Sequence, residues 1–141
     1  MIMKVDVTYV DKMTFIAKGE SNHWVAMDAS EAAGGTNAAS SPMELLLMGL
    51  GGCTGVDVVL IMKKRKKPVE KFKLEISAER ADQHPKVYTR IHMIYKFWGK
   101  NLDESELRKA IELSEEKYCS ASAMLAKTAN ISYEIQINPE N

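Results

Sequence analysis

The chain has no surplus of charge of either sign: lysine and arginine number 19, aspartate and glutamate 19, and the formal net charge over 141 residues is zero. Nothing in that balance drives binding to nucleic acid or to an anionic membrane. It does remove the repulsion that keeps small proteins apart, which weakly favours self-association. Cysteine is scarce. Two residues, Cys53 and Cys119, do not make a secreted disulfide scaffold. In a reducing cytosol they leave three readings: inert buried thiols, metal ligands, or redox chemistry. Histidine is scarce too, and His23, His84 and His92 never stand three or four residues from a cysteine or from one another. Zinc normally needs such close pairs, so neither a metal nor another cofactor is expected. The opening Met1-Ile-Met-Lys-Val-Asp-Val-Thr alternates like a strand and lacks the uninterrupted apolar stretch of a signal peptide, which points to the cytoplasm.

What is present suits one domain, residues 1–141, with a sizeable core. Alternation predicts strands over 4–10, 12–18 and 24–27, with a turn near Val10-Asp11. A small, polar stretch over 29–41, containing Gly34-Gly35-Thr36-Asn37, reads as a surface loop of a length that is often functional. Ser41, Pro42 and Glu44 then supply an N-cap, a first helical residue and the glutamate of a capping box. The helix they open is expected to run to about Lys67, ahead of Pro68. Strands over 72–80 and 86–98 predict a hairpin closed by a loop. Asp103 is placed to cap a second helix with Leu107, Ala110, Ile111 and Ser114 facing inward. A further helical stretch over 119–127 and a strand over 130–137 complete the order βββ–α–ββ–αα–β. Strands grouped around one long helix argue for an α+β fold with antiparallel sheets.

Residues 43–62 are apolar nearly all round, so the helix should be buried on most sides. The stretch is long enough to span a bilayer, but Glu44, Asp57 and four glycines argue against that. One layer of sheet would leave a side of the helix bare, and a second copy of the chain is the simplest cover. Gly49, Gly51, Gly52 and Gly55 all fall within four positions of Cys53, so another backbone or a substrate is able to approach closely. The alternative is tight helix–helix packing at a dimer axis. The basic run over 63–67 offsets the negative end of the helix dipole and needs no nucleic acid to explain it.

Cys53 lies mid-helix in Gly51-Gly-Cys-Thr-Gly55, with Asp57 one turn on and opposed to a thiolate. Cys119 follows Glu115-Glu-Lys-Tyr118 where one helix gives way to the next. A helix starting there would aim backbone N–H groups at its sulfur, and Lys117 adds a cation nearby.

The segment Ser41-Pro-Met-Glu-Leu-Leu-Leu-Met-Gly-Leu-Gly-Gly-Cys53, together with Cys119-Ser-Ala-Ser122, resembles the OsmC/Ohr family of osmotically inducible and organic hydroperoxide resistance proteins. The match is to the branch carrying Pro-Met-Glu-Leu, Gly-Gly-Cys and Glu-Lys-Tyr-Cys. The resemblance implies an OsmC-like fold with antiparallel sheets wrapped around a long central helix, in an intertwined homodimer. It also implies a cysteine peroxidase acting on organic hydroperoxides. Cys53 would attack the peroxide, Cys119 would close a disulfide on the resulting sulfenic acid, and a dithiol or lipoyl-type reductant would restore both thiols. Glu44 stands near the family's helix glutamate, one position later after Pro42. Family peroxidases activate the first cysteine with an arginine from the N-terminal strands, whereas this chain has no arginine before Arg65 and offers Lys12 or Lys18 instead.

Overall fold

A computed structural model describes residues 1–140. Two compact units divide the chain, residues 1–48 and 49–141.

The first unit is an antiparallel meander of β1 (Val5–Asp11), β2 (Thr14–Gly19) and β3 (Trp24–Met27), in that order. The register pairs Val7 with Ala17 and Phe15 with Met27. The first turn falls at Lys12-Met13, two residues later than the alternation suggested. Asp11 accepts the Lys12 N–H at 2.9 Å, and Lys12 adopts φ 51°, so the reversal is built from a local side-chain bond and a left-handed residue. All of β1 is exposed, with Val7 at 57% and Tyr9 at 58%; Trp24 on β3 is exposed to 58%.

The stretch after β3 is more ordered than a polar surface loop. The buried carboxylate of Asp28 accepts the N–H groups of Ala29 (2.7 Å), Ala38 (3.0 Å) and Thr36 (3.3 Å), and the Thr36 hydroxyl at 2.6 Å. The Thr36 hydroxyl first, then the Ala38 N–H, hold the carboxyl down at about 2, with burial opposing them. Gly35 is pressed against Ala29, whose carbonyl oxygen would lie 2.0 Å from any Cβ there. No other residue fits.

Helix α1 (Pro42–Lys64) starts as predicted. Ser41 and Glu44 form the reciprocal box, with the Glu44 N–H on the Ser41 hydroxyl at 3.2 Å and the Ser41 N–H on the Glu44 carboxylate at 3.0 Å. The helix ends at Lys64, not Lys67. Lys66 turns left-handed at φ 61°, and the Lys67 N–H closes back on the Met62 carbonyl at 2.9 Å, so the cap forms before Pro68 is reached.

The second unit holds β4 (Lys71–Arg80), β5 (Tyr88–Trp98) and β6 (Asn130–Ile137) in one sheet, with α2 (Glu104–Leu113) and α3 (Ser120–Leu125) between β5 and β6. The hairpin β4–β5 is antiparallel as expected, but β6 runs parallel to β5. The expectation of purely antiparallel sheets fails here for a topological reason. A connection containing two helices is long enough to carry the chain back to the same end of the sheet, where a short turn is not.

Alternation along β5 turns Ile91, Met93, Tyr95 and Phe97 inward, all at most 1% exposed. They meet Leu107, Ala110 and Ile111 of α2, three of the four residues predicted to face inward; the fourth, Ser114, is also buried. Phe72 on β4 stacks on Phe97 at a centroid distance of 4.6 Å. The second-unit part of α1 lies against β4 through its glycines. A Cβ at Gly51 would meet Ile76 at 3.0 Å, and one at Gly55 would meet Phe72 at 3.8 Å, whereas Gly49 and Gly52 face open space.

Burial of α1 differs from the expectation. Within one chain it buries only Leu50, Thr54, Val58 and Met62, a single i, i+4 row. Val56, Val59 and Leu60 stand 67%, 42% and 47% exposed, because one sheet covers one face of a helix and no more. By length and composition α1 would also cross a bilayer.

Candidate functional site: the Cys53–Cys119 pair

Thiols 66 residues apart in sequence are brought into hydrogen-bonding reach of each other in the second unit. Cys53 arrives on α1, half-buried and one residue ahead of the buried row. Cys119 arrives at the start of α3, where it is 2% exposed. Both thiols are free.

The residues before Cys119 decide how it is presented. Helix α2 begins at Asp103, whose carboxylate accepts the Ser105 N–H at 2.9 Å. After Leu113 the chain widens into one π turn, Ser114–Tyr118, and the Cys119 N–H reaches back to the Ser114 carbonyl at 2.7 Å. Cys119 then takes extended geometry, φ −75° and ψ 101°, and caps α3 with its sulfur, which accepts the Ser122 N–H at 3.3 Å. The Ser122 hydroxyl donates to the Cys119 carbonyl at 3.1 Å. The helix break predicted at Cys119 is therefore present, with N–H groups on the sulfur. Lys117 is turned elsewhere, its ammonium 5.3 Å from the centre of the Tyr118 ring.

Electrostatics split the pair. Burial disfavours charge on Cys119, but the Thr54 hydroxyl at 3.3 Å, the hydroxyl and N–H of Ser122, and the Cys53 thiol outweigh it and bring Cys119 below the ordinary cysteine value. Cys53 moves the other way. The Ala121 N–H favours its thiolate, yet burial together with the hydrogen bond and charge of Cys119 pushes it above the ordinary value. The two titrate as a unit in which the first negative charge resides on Cys119. Sequence reasoning gave the first ionisation to Cys53; the structure reverses this.

Asp57, expected to oppose a thiolate at Cys53, is taken up by Ser114, whose buried hydroxyl donates to its carboxylate at 2.7 Å. Glu44 lies in the first unit with its carboxylate in the capping box. Among the described residues no group of three or more histidine, cysteine or acidic side chains is able to hold a metal.

Sequence reasoning missed Thr54 and Tyr95. Thr54 is 1% exposed, and its hydroxyl serves both Cys119 and the phenol of the fully buried Tyr95. A signal was there to read. Thr54 interrupts the apolar row Leu50, Val58, Met62 with a hydroxyl, and Tyr95 does the same in the inward set of β5. Buried hydroxyls in apolar rows need partners. Glu115, in the π turn, was also passed over. It is half-buried, with one carboxylate oxygen sealed from solvent and unbonded; burial first, then Glu112 and Glu116, push its carboxyl up.

The match to known proteins follows the same residues. The family model described as OsmC-like protein matches residues 35–134, a span containing both cysteines. The protein YhfA of Escherichia coli K12 is 33% identical over 135 residues, covering 96% of this chain and 98% of its own. A solved structure of a hypothetical protein from Aquifex aeolicus VF5 superposes with a TM-score of 0.82 at 33% identity, covering 99% of each chain. An organic hydroperoxide resistance protein from Legionella pneumophila shares the fold at 11% identity, with a TM-score of 0.72 over 96% of this chain and 97% of that one. On the family match and on this identity across nearly whole chains, the protein belongs to the OsmC-like family.

Proposed function

We propose that this chain is a thiol-dependent peroxidase that reduces organic hydroperoxides through a Cys53–Cys119 disulfide. The observation carrying the reading is the thiol pair itself: two free sulfurs in hydrogen-bonding reach, one half-buried and one buried, sharing their first negative charge.

Without an N-terminal arginine, the pair supplies its own base. The Cys53 S–H faces the Cys119 thiolate, so its proton passes to Cys119 as the Cys53 sulfur attacks the peroxide oxygen and the O–O bond breaks. That proton neutralises the departing alkoxide, leaving an alcohol and Cys53 sulfenic acid. Cys119 then displaces the sulfenic hydroxyl, which leaves as water, and the disulfide forms. A dithiol, a lipoyl group included, donates two electrons and two protons to close the cycle. The N–H groups of Ala121 and Ser120 favour the thiolate of Cys53 when it forms. Glu44 acts here through the cap that fixes the start of α1.

The working unit is a homodimer in the cytoplasm. Support comes from the bare apolar faces of both units, Val7, Tyr9 and Trp24 in the first and Val56, Val59 and Leu60 in the second, together with the absence of net charge. Gly49 and Gly52, open on one chain, leave room for a close approach there.

The test is to mix reduced protein with cumene hydroperoxide and follow free thiols, water and alcohol production. Loss of two thiols per chain, faster than free cysteine and followed by turnover with dihydrolipoate, supports the peroxidase. The raised Cys53 thiol favours one second reading, a redox-sensing dimer that binds an apolar small molecule. It predicts slow stoichiometric oxidation without turnover.

A further inference from the structure

A continuous line of buried side chains leads away from Cys119 into the core. The Thr54 hydroxyl lies 3.3 Å from the Cys119 sulfur and is hydrogen-bonded to the Tyr95 phenol, which in turn reaches the Met93 sulfur at 4.0 Å. Cys119, Thr54, Tyr95 and Met93 are each no more than 2% exposed. No water is needed to satisfy any of them, since each hydroxyl has a neighbour on either side.

Such a line runs in two directions. With Cys119 as a thiol, its S–H points to Thr54, Thr54 to Tyr95, and Tyr95 to Met93, whose thioether only accepts. With Cys119 ionised, the order flips: the Tyr95 O–H points to Thr54, and the Thr54 O–H points to the sulfur. In the disulfide, Cys119 retains only a weak acceptor and the Thr54 donor has least to bind. Hydrogen bonds to a charged acceptor are the strong ones, and a dry setting strengthens them further. Tyr95 stays a phenol throughout, because burial and then the negative charge of Glu115 push its ionisation far up, so it always has a proton to give.

From this we propose that Thr54 and Tyr95 are positioning residues that set the redox poise of the pair: by bonding most strongly to the Cys119 thiolate, they stabilise the reduced state and make Cys119 the better leaving group when the disulfide is reduced. The inference rests on the disulfide cycle proposed above. A dithiol attacks the half-buried Cys53 sulfur, the Cys53–Cys119 bond breaks, and Cys119 leaves with the electron pair as the thiolate that Thr54 receives. The second thiol of the reductant then displaces Cys53, forming the reductant's own disulfide. Two electrons have moved to the protein, and of the two protons released one protonates Cys53 while the other goes to Cys119 or solvent.

The test measures the equilibrium between the protein disulfide and dihydrolipoate–lipoate mixtures, reading reduced and oxidised protein by thiol alkylation and mass. Thr54→Val keeps the shape and removes the donor, and should shift the equilibrium about tenfold toward the disulfide. Tyr95→Phe removes only the phenolic oxygen and should shift it about threefold in the same direction, while Thr54→Ser should restore the parent value. Loss of packing alone would not return with serine, which lacks the methyl group but keeps the hydroxyl. Equilibria within twofold of the parent in both Thr54→Val and Tyr95→Phe overturn the inference; should Thr54→Val not fold, Tyr95→Phe decides alone. A parent that exchanges with lipoate but consumes no hydroperoxide sinks the peroxidase and leaves the inference standing. A parent that forms no Cys53–Cys119 disulfide with excess lipoate sinks both.

Discussion

The Ser114 hydroxyl donates to the Asp57 carboxylate at 2.7 Å, tying the π turn to α1 one helical turn beyond Cys53. It also engages the one negative charge that α1 carries near that thiol. Ser114→Ala should destabilise the protein by about 1–2 kcal/mol, since it leaves a half-buried carboxylate short of a partner. Urea denaturation checks this, and an unchanged midpoint would show that water replaces the bond at no loss.

Removing Cys119 should do more than prevent a disulfide. Its charge and its hydrogen bond both hold the Cys53 thiol up, while the Ala121 N–H continues to favour the thiolate. In Cys119→Ala the pH midpoint for Cys53 alkylation should fall relative to the parent, so that iodoacetamide reacts several-fold faster near pH 7. The pair-sharing account does not survive a midpoint that rises or stays put.

Acid should open the segment after β3 before the rest of the first unit. Asp28 has its pKa held at about 2, below the unfolded value of 3.8. A group depressed on folding contributes stability that is fully present above its unfolded pKa and lost as pH falls through the folded one. The contribution should therefore disappear between about pH 4 and pH 2. Hydrogen exchange at Thr36 and Ala38 should accelerate across that window beyond the intrinsic rate change, and Asp28→Asn should show the faster exchange already at pH 7.

Glu44→Ala should cost about 1 kcal/mol of stability by breaking the reciprocal cap at Ser41, with Glu44→Gln costing less because an amide oxygen still reaches the N–H. Thermal melts of the two variants settle the order.

If a second copy covers the bare faces, Val56→Glu should shift the protein toward monomer and lower its melting temperature; at 67% exposure in one chain, the same change would otherwise be nearly neutral. Sedimentation at several concentrations reads the difference.

Much of this was legible beforehand because local chemistry decided it. Alternation located β3 and β6 to the residue, the Ser41–Glu44 spacing located the start of α1, and the inward set Leu107, Ala110, Ile111 and Ser114 was read from period alone. The two thiols were found from their motifs. What escaped depended on partners distant in sequence. The parallel placement of β6 follows from where two helices deliver the chain, which no window of residues contains. Thr54 and Tyr95 read as ordinary helix and strand positions until the fold set their hydroxyls beside each other and Cys119. The reversal of ionisation between Cys53 and Cys119 had the same origin: it depends on which sulfur collects more donors.

The π turn at Ser114–Tyr118 has a counting consequence. An α-helix advances about 100° per residue, so a turn that accommodates one additional residue resets the angular phase of everything after it. Deleting any one of Glu115, Glu116 or Lys117 would let α2 continue in regular register and swing the sulfur of Cys119 about a quarter of a revolution away from α1. The reactive couple thus depends on the length of this segment as much as on the identity of its residues, and a chain one residue shorter there would keep both cysteines while losing their encounter.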